Sequence, residues 1–249
     1  MSGHSKWSTI KHKKGAADAK RGKVFTKLIK EITVAARMGG GDPGGNPRLR
    51  RAMDAARAAN MPADNMNRAI KKGTGELEGV VYEELTYEGV GPAGTLFLVE
   101  VVTDNRNRTA PELRKIFDQH NGQLGSSGSA AWAFDEKGIV AVDKNAVSEE
   151  ALFELAVGAG ADDVQDIGEQ WLVTCEKTSL DEVRSAIEEG KVAVESAELS
   201  QVPKNVKQVE GRDAEVAMGL VETLEDHDDV QKVFTDFELS DEELARLSQ

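Results

Sequence analysis

Cysteine is almost absent from this chain of 249 residues, where Cys175 stands alone. One thiol excludes an internal disulfide and any zinc site built on paired thiolates. A reducing cytoplasm is the expected location. Aromatic residues are scarce at 5%, so the cores must be built from small aliphatic side chains. No run approaches the roughly 18–20 apolar residues that a membrane span needs. Met1 to Lys14 holds no apolar stretch of the kind found in a secretory signal. Histidine is rare too, with only His4, His12, His120 and His227. No Walker loop, H-E-x-x-H or Ser/His/Asp ordering is present, and nothing assembles a nucleophile, a base and an orienting group. His227 stands among Asp226, Asp228 and Asp229, but the spacing fits no calcium loop. The expectation is a protein without catalytic activity, cofactor, metal ion or small-molecule substrate.

What is present is an uneven charge. The chain carries a net charge of -13. Residues 1–75 nevertheless hold 17 Lys+Arg against 5 Asp+Glu, a surplus of +12, while the remainder holds 14 against 39, a deficit of -25. A basic module joined to an acidic body points to a polyanion as the partner of the basic part.

The basic module reads as three helices. Phe25, Leu28, Ile29, Ile32, Ala35 and Ala36 form one helical stripe after Ala16. Lys20, Lys23, Lys27 and Lys30 recur at helical spacing on the other side, which predicts a row of ammonium groups facing solvent. Gly39-Gly40-Gly41 and Asp42-Pro43 end this helix. Asn46-Pro47 reads as N-cap and first residue of a second helix running to about Asn60. Its packing face is Leu49, Ala52, Met53, Ala56 and Ala59, with Arg48, Arg50, Arg51 and Arg57 around it. A third helix follows Met61-Pro62 and reaches Lys72, with Arg68 and Lys71 upon it. Ahead of all three lies a basic, polar tail of low apolar content, which is expected to order only on a partner. In it Lys6, Lys11, His12, Lys13 and Lys14 offer charge or hydrogen bonds to phosphates, and Trp7 offers a stacking face for a base.

The rest reads as strands and helices. Val80–Glu88 and Thr95–Thr103 are strands joined by Gly89-Val90-Gly91-Pro92-Ala93-Gly94. Those glycines match a dinucleotide fingerprint in letters only, because they lead into another strand instead of opening a helix. Thr109-x-x-Glu112 opens a helix to about Gln119. Gln123–Ser129 is a Gly/Ser loop, and Ala130–Phe134 reads as a further strand. Strand Ile139–Val142, helix Ser148–Val157, strands Asp163–Ile167 and Trp171–Cys175, helix Leu180–Glu189 and strand Val192–Leu199 then follow the ferredoxin-like β-α-β-β-α-β order. A last helix, Ala214–Leu224, and strand, Val230–Phe237, have no partners of their own and are assigned to the sheet that Val80 begins. The predicted fold class is therefore α+β. It comprises a basic tail and three-helix domain (1–78), a discontinuous α/β domain (79–135 with 204–240), a ferredoxin-like domain (136–203) and a C-terminal tail (241–249). Between strand and helix, Thr103–Thr109 places Arg106 and Arg108 at a helix N-terminus, where free N–H groups and guanidinium forks favour anions; the alternative is that both arginines pair with neighbouring Asp/Glu.

The opening run from Ser2 to Glu76, SGHSKWSTIKHKKG through MNRAIKKGTGE, resembles the YebC/PmpR family. TDNRNRT (Thr103–Thr109), GQLGSSGSAAW (Gly122–Trp132) and DVQKVFTDF (Asp229–Phe237) are similar to the same family, so the resemblance reaches to about Phe237. It implies a three-domain cytoplasmic protein without known enzymatic activity. Bacterial members are described as transcriptional regulators that bind DNA. The family also includes a mitochondrial translational activator needed for cytochrome c oxidase synthesis, and bacterial members have been connected with ribosomes stalled on proline-rich sequences. The basic residues spread over a tail and several faces, which suits irregular RNA better than one operator. An acidic body would be repelled by flanking DNA but could meet basic ribosomal proteins. The sequence is accordingly read as a nucleic-acid-binding regulator, with ribosomal RNA the favoured partner. The alternative is DNA, read by Asn65, Asn67 and Arg68 if the second and third helices act as a helix-turn-helix.

Overall fold

The structure, a computed structural model, describes the backbone of residues 17–247 and the side chains of residues 22–240 and 242–247. Three helices come first: α1 (Ala17–Gly39), α2 (Pro47–Ala58) and α3 (Ala63–Thr74). The stripe read on α1 packs as expected. Ile32, Ala35 and Ala36 are buried with Leu49, Ala52, Met53 and Ala56 of α2 and Met66 and Ala69 of α3, and Phe25, Leu28 and Ile29 lean on the same cluster. Burying each larger side chain contributes about 1.5–3 kcal/mol. Small residues permit close approach: a Cβ on Gly73 would lie 2.3 Å from the carbonyl oxygen of Thr33 in α1. The turn between α1 and α2 is fixed by buried Asn46. Its Oδ1 accepts from the Leu49 N–H at 3.1 Å, and its Nδ2 donates to the carbonyls of Ala35 and Gly40. One side chain thus caps α2 and holds the end of α1.

The middle sheet is formed by β1 (Glu83–Val90), β2 (Leu96–Thr103), β3 (Gln123–Leu124) and β9 (Val230–Thr235) in the order β3-β1-β2-β9, all antiparallel. Tyr87 faces Val99 across one ladder, and Val99 faces Val233 across the next. Helices α4 (Arg106–Gln119) and α7 (Gly211–Glu225) cover one face, burying Phe97, Val99, Val101, Leu113, Phe117, Leu220 and Leu224. The opposite face buries Leu98 against Ala130, Ala133 and Phe134. Val80 and Val81, read as the start of the first strand, are exposed and lie outside it.

A second sheet contains β4 (Phe134–Asp143), β5 (Ala161–Asp166), β6 (Gln170–Glu176) and β7 (Val194–Pro203), in the order β5-β6-β4-β7. Helices α5 (Glu149–Gly158) and α6 (Leu180–Glu189) pack on one face over Val140, Val142, Trp171, Val173 and Cys175. The βαββαβ order with this strand arrangement is ferredoxin-like. Cys175 is fully buried, and burial pushes its thiol up to about 11.

Three details differ from the sequence reading. Ala131–Ala133 is a 3-10 turn, not strand, because the N–H groups of Ala130 and Ala131 donate to the Glu88 carboxylate instead of to a ladder. Lys207–Gln208 (β8) and Phe237–Glu238 (β10) form a small parallel pair. Asp241–Leu247, expected as a tail, is helix α8, and its Leu244 packs into the core shared by α4 and α7. Among the described residues no helix is long and apolar enough to cross a membrane.

Candidate nucleic-acid interface

Over the stretch whose side chains are described, the ammonium groups of the lysine row on α1 are engaged within the chain instead of standing free in solvent. Lys23 pairs with Asp226 at 2.6 Å, and its ammonium also donates to the Asp226 carbonyl. Lys27 donates to the Glu225 carbonyl at 2.7 Å. Lys30 is only 7% exposed and donates to the Val102 and Asp228 carbonyls and to Oδ1 of Asp229. Apart from Val102 in β2, these acceptors lie at the C-terminal end of α7 and in the loop after it. That end carries unsatisfied carbonyls and the negative pole of the helix dipole, and it is followed by Asp226, Asp228 and Asp229. The helical spacing was read correctly, but this polyanion belongs to the chain itself. Burial lowers the Lys27 pKa, opposed by Glu225 and Asp226. Lys20 and Arg21 lie on the same helix. Lys6, Trp7, Lys11, His12, Lys13 and Lys14 lie outside the described residues.

Asp229 is the centre of a second network. Its Oδ2 accepts from Arg108 Nη2 at 2.7 Å, from Thr109 Oγ1 at 2.8 Å and from Thr103 Oγ1 at 3.1 Å. Burial alone would raise this carboxyl, but the hydrogen bonds from Lys30, Arg108 and Thr109 outweigh it and hold the group well below the usual carboxylate range. Arg108 also pairs with Asp104 at 3.0 Å. Arg108 therefore takes the ion-pairing alternative, bound to acids of the chain itself. The N–H of Arg108 is capped by the Asn105 side chain, so the start of α4 is partly satisfied as well. Arg106 is exposed and has no ion-pair partner among the described residues.

All four arginines of α2 are likewise engaged, Arg57 with Asp54 at 2.7 Å and Arg50 with Asp181 at 3.9 Å. Arg48 makes a bidentate contact with Glu31, at 2.7 and 2.9 Å, and a second with Glu84 of β1. The Glu31 hydrogen bond is the main cause that raises its pKa. Arg51 pairs with Asp181 of α6 at 3.3 Å, and Arg184 of α6 reaches Asp54 of α2 at 3.4 Å. Arg48 and Arg51 therefore join the helical domain to the two sheets.

What remains open is the outer face of α3. Met66 and Ala69 point inward, while Arg68, Lys71 and Lys72 are exposed at i, i+3 and i+4. None of the three pairs with a carboxylate among the described residues. Asn67 is exposed beside them, and Asn65 is half-buried. Lys72 was not singled out from the sequence, although its adjacency to Lys71 on the predicted helix was the available signal. Arg114 and Lys115 on α4, also exposed, were missed for the same reason.

Glu88 organises the Gly/Ser loop. Its carboxylate accepts from the N–H groups of Gly128, Ala130 and Ala131 at 2.6–2.7 Å, and its backbone carbonyl accepts from Gly125. Those N–H groups point inward, so Gln123–Ser129 does not offer them to an external anion. The loop instead presents Trp132, which is 65% exposed. Among the described residues no group of three or more His, Cys, Asp or Glu could hold a metal ion. His227 hydrogen-bonds Glu112 at 3.0 Å and accepts from the Asp229 N–H.

A family model described as the TACO1/YebC N-terminal domain matches residues 5–76, and one described as the TACO1/YebC second and third domain matches residues 82–237. The chain is similar to a probable transcriptional regulatory protein of Geobacter sulfurreducens, with 57% identity over 247 residues, covering 99% of this chain and 100% of that one. A protein of the same description from Geotalea uraniireducens is also 57% identical, with the same coverage of 99% and 100%. The crystal structure of a conserved hypothetical protein from Aquifex aeolicus is similar in fold, with a TM-score of 0.85 and 44% identity over 91% of this chain and 93% of that one.

Proposed function

The chain belongs to the TACO1/YebC family, and from that premise we propose that it is a non-catalytic regulator of gene expression that binds RNA. The observation that carries this reading is the open cation face of α3. Most other described cations of the helical module are committed to carboxylates and carbonyls of the chain, whereas Arg68, Lys71 and Lys72 are exposed and have no carboxylate partner among the described residues, which leaves them to phosphates. Arg106, Arg114 and Lys115 add positive charge on a different element, a dispersed pattern suited to an irregular RNA surface. The ferredoxin-like segment 136–203 carries 16 Asp+Glu against 5 Lys+Arg. It would be repelled by a flanking duplex and attracted to basic proteins. Ribosomal RNA, with basic ribosomal proteins beside it, satisfies both halves. The proposed role is therefore that of a translation factor assisting synthesis through stalling, proline-rich sequences.

A second reading is DNA-binding transcriptional regulation, the role carried in the names of the curated relatives. It is favoured by the exposed Asn67 beside Arg68, a pair able to reach base edges from one helix. The deciding experiment titrates the full chain and Arg68→Gln/Lys71→Gln/Lys72→Gln against a ribosomal RNA fragment and a duplex DNA at several salt concentrations. The triple variant is expected to lower the salt slope on the RNA by roughly 2–3 units. Tighter binding to one duplex sequence than to the RNA would reverse the ranking. An unchanged slope on both would remove α3 from the interface.

A further inference from the structure

Trp132 is an expensive residue to leave in water, and its surroundings are built to hold it there. The 3-10 turn Ala131–Ala133 covers Leu98 with Ala130 and Ala133, whereas the Trp132 ring stays 65% exposed. The core beneath the turn is closed without the indole. The ring is nevertheless fixed in direction, because its Nε1–H donates to the Ser129 carbonyl at 3.2 Å. The backbone under it is pinned three times over by the buried Glu88 carboxylate. Charge-assisted hydrogen bonds of this length are strong, and a buried carboxylate is a costly way to shape a loop with no task. Gly128 adopts φ +86° within the loop, a conformation that a side chain would strain.

The neighbouring charge indicates the occupant. Lys204 donates to the Trp132 carbonyl at 3.0 Å and shares its charge with exposed Asp135 at 3.3 Å, keeping nearly half of its side chain in solvent, and Lys207 donates to the Ala93 carbonyl. The loop presents the hydroxyl-bearing residues Ser126 and Ser127 to solvent. An aromatic face with an adjacent ammonium group and small polar side chains is the chemistry of single-stranded nucleic-acid recognition, in which a base stacks and its phosphate meets a cation. We propose that Trp132, held by Glu88 and flanked by Lys204, is a stacking platform for one unpaired base of RNA. This rests on the RNA-binding reading and adds to it a contact on a second domain, apart from α3.

The test measures affinity of the full chain for a single-stranded oligouridylate and for a duplex RNA of equal length at one salt concentration. Trp132→Ala is expected to weaken single-strand binding about 5- to 150-fold, the equivalent of roughly 1–3 kcal/mol per stacked base. Trp132→Phe should lose much less, because it keeps a ring. Duplex affinity, the salt slope and the thermal midpoint should stay the same, since neither charge nor core packing is removed. The platform is overturned if Trp132→Ala binds the single strand as the natural chain does while Arg68→Gln/Lys71→Gln/Lys72→Gln still weakens it; RNA binding then stands without the platform. If the natural chain binds neither RNA, the RNA reading itself fails. If Trp132→Ala loses binding to a proline-rich peptide and not to the oligouridylate, the site is a peptide groove and the proposal is wrong.

Discussion

The ammonium group of Lys30 in α1 lies 2.8 Å from Oδ1 of Asp229, with the two side chains only 9% and 5% exposed. A charge pair so far removed from water joins the basic module to the acidic body through its least replaceable contact. Without Asp229, Lys30 would lose its carboxylate partner while still buried, whereas without Lys30, Asp229 would keep the charge of Arg108. Replacing Asp229 by Ala leaves Lys30 with carbonyls only, and deprives Arg108, Thr103 and Thr109 of their shared acceptor. Breaking a buried pair costs about 3–5 kcal/mol. Asp229→Ala should therefore lower the unfolding free energy measured by urea titration by an amount of that order, whereas Lys30→Met combined with Asp229→Leu should cost less than either single change. A single variant within ~1 kcal/mol of the natural chain would show that the pair is dispensable.

The same carboxyl sets an acid limb. Its pKa is depressed in the folded chain, with the cost of burial outweighed by Lys30, Arg108 and Thr109. Stability from such a group is complete above the unfolded value, near about 4, and is lost as pH falls through the folded value. The natural chain should lose stability from about pH 4 downward, and Asp229→Asn should flatten that stretch. The gap between the two proteins should shrink as the pH drops. Curves that run parallel from pH 6 to pH 2 would contradict this assignment.

Lys23 and Lys27 separate docking from nucleic-acid binding. Both bind the C-terminal end of α7 or the residue after it, although part of each side chain remains wet. Lys23→Gln/Lys27→Gln should leave the salt slope for RNA nearly unchanged. It should instead raise amide exchange in residues 225–229, where the variant removes the capping cations. A slope that falls by about 2 units would return these lysines to the nucleic-acid interface.

The fold class was legible because local patterns carried it. Ile32, Ala35, Leu49 and Met53 fall at the spacings that one packed helix face requires, and all four are buried in one cluster. Val140, Val142, Trp171 and Val173 alternate as a half-buried sheet requires, and they meet α5 and α6. The lysine row failed for the opposite reason. Helical spacing places Lys23, Lys27 and Lys30 on one side of α1, but only tertiary structure brings Asp226 and Asp229, about 200 positions later in the chain, against that side. Arg48 and Arg108 were obscured in the same way by Glu84 and Asp229. Glu88 was invisible because a carboxylate in a strand reads as surface, and its three partners lie 40 to 43 residues onward. In this chain, apolar periodicity predicted packing well. Cation periodicity predicted a partner but not which one.

Glu88 offers the most direct check on the loop that carries Trp132. One carboxylate oxygen accepts from Gly128, and the other accepts from both Ala130 and Ala131. Burial alone would raise its pKa, but these three N–H groups together lower it. Glutamine has the same shape but only one acceptor oxygen. In Glu88→Gln the amide –NH2 must point either at Gly128 or at the Ala130/Ala131 pair, setting donor against donor. Removing charge-assisted bonds and leaving buried donors unpaired should cost roughly 2–4 kcal/mol. The amides of Gly128, Ala130 and Ala131 should exchange faster, and the fluorescence anisotropy of Trp132 should fall as the turn beneath it loosens. Because helix α3 is remote from this contact in sequence and belongs to a different packed cluster, Arg68, Lys71 and Lys72 should keep their share of the salt slope. Unchanged exchange at the three amides would mean that other contacts hold the loop, and the indole would then owe its position to the Ser129 hydrogen bond alone.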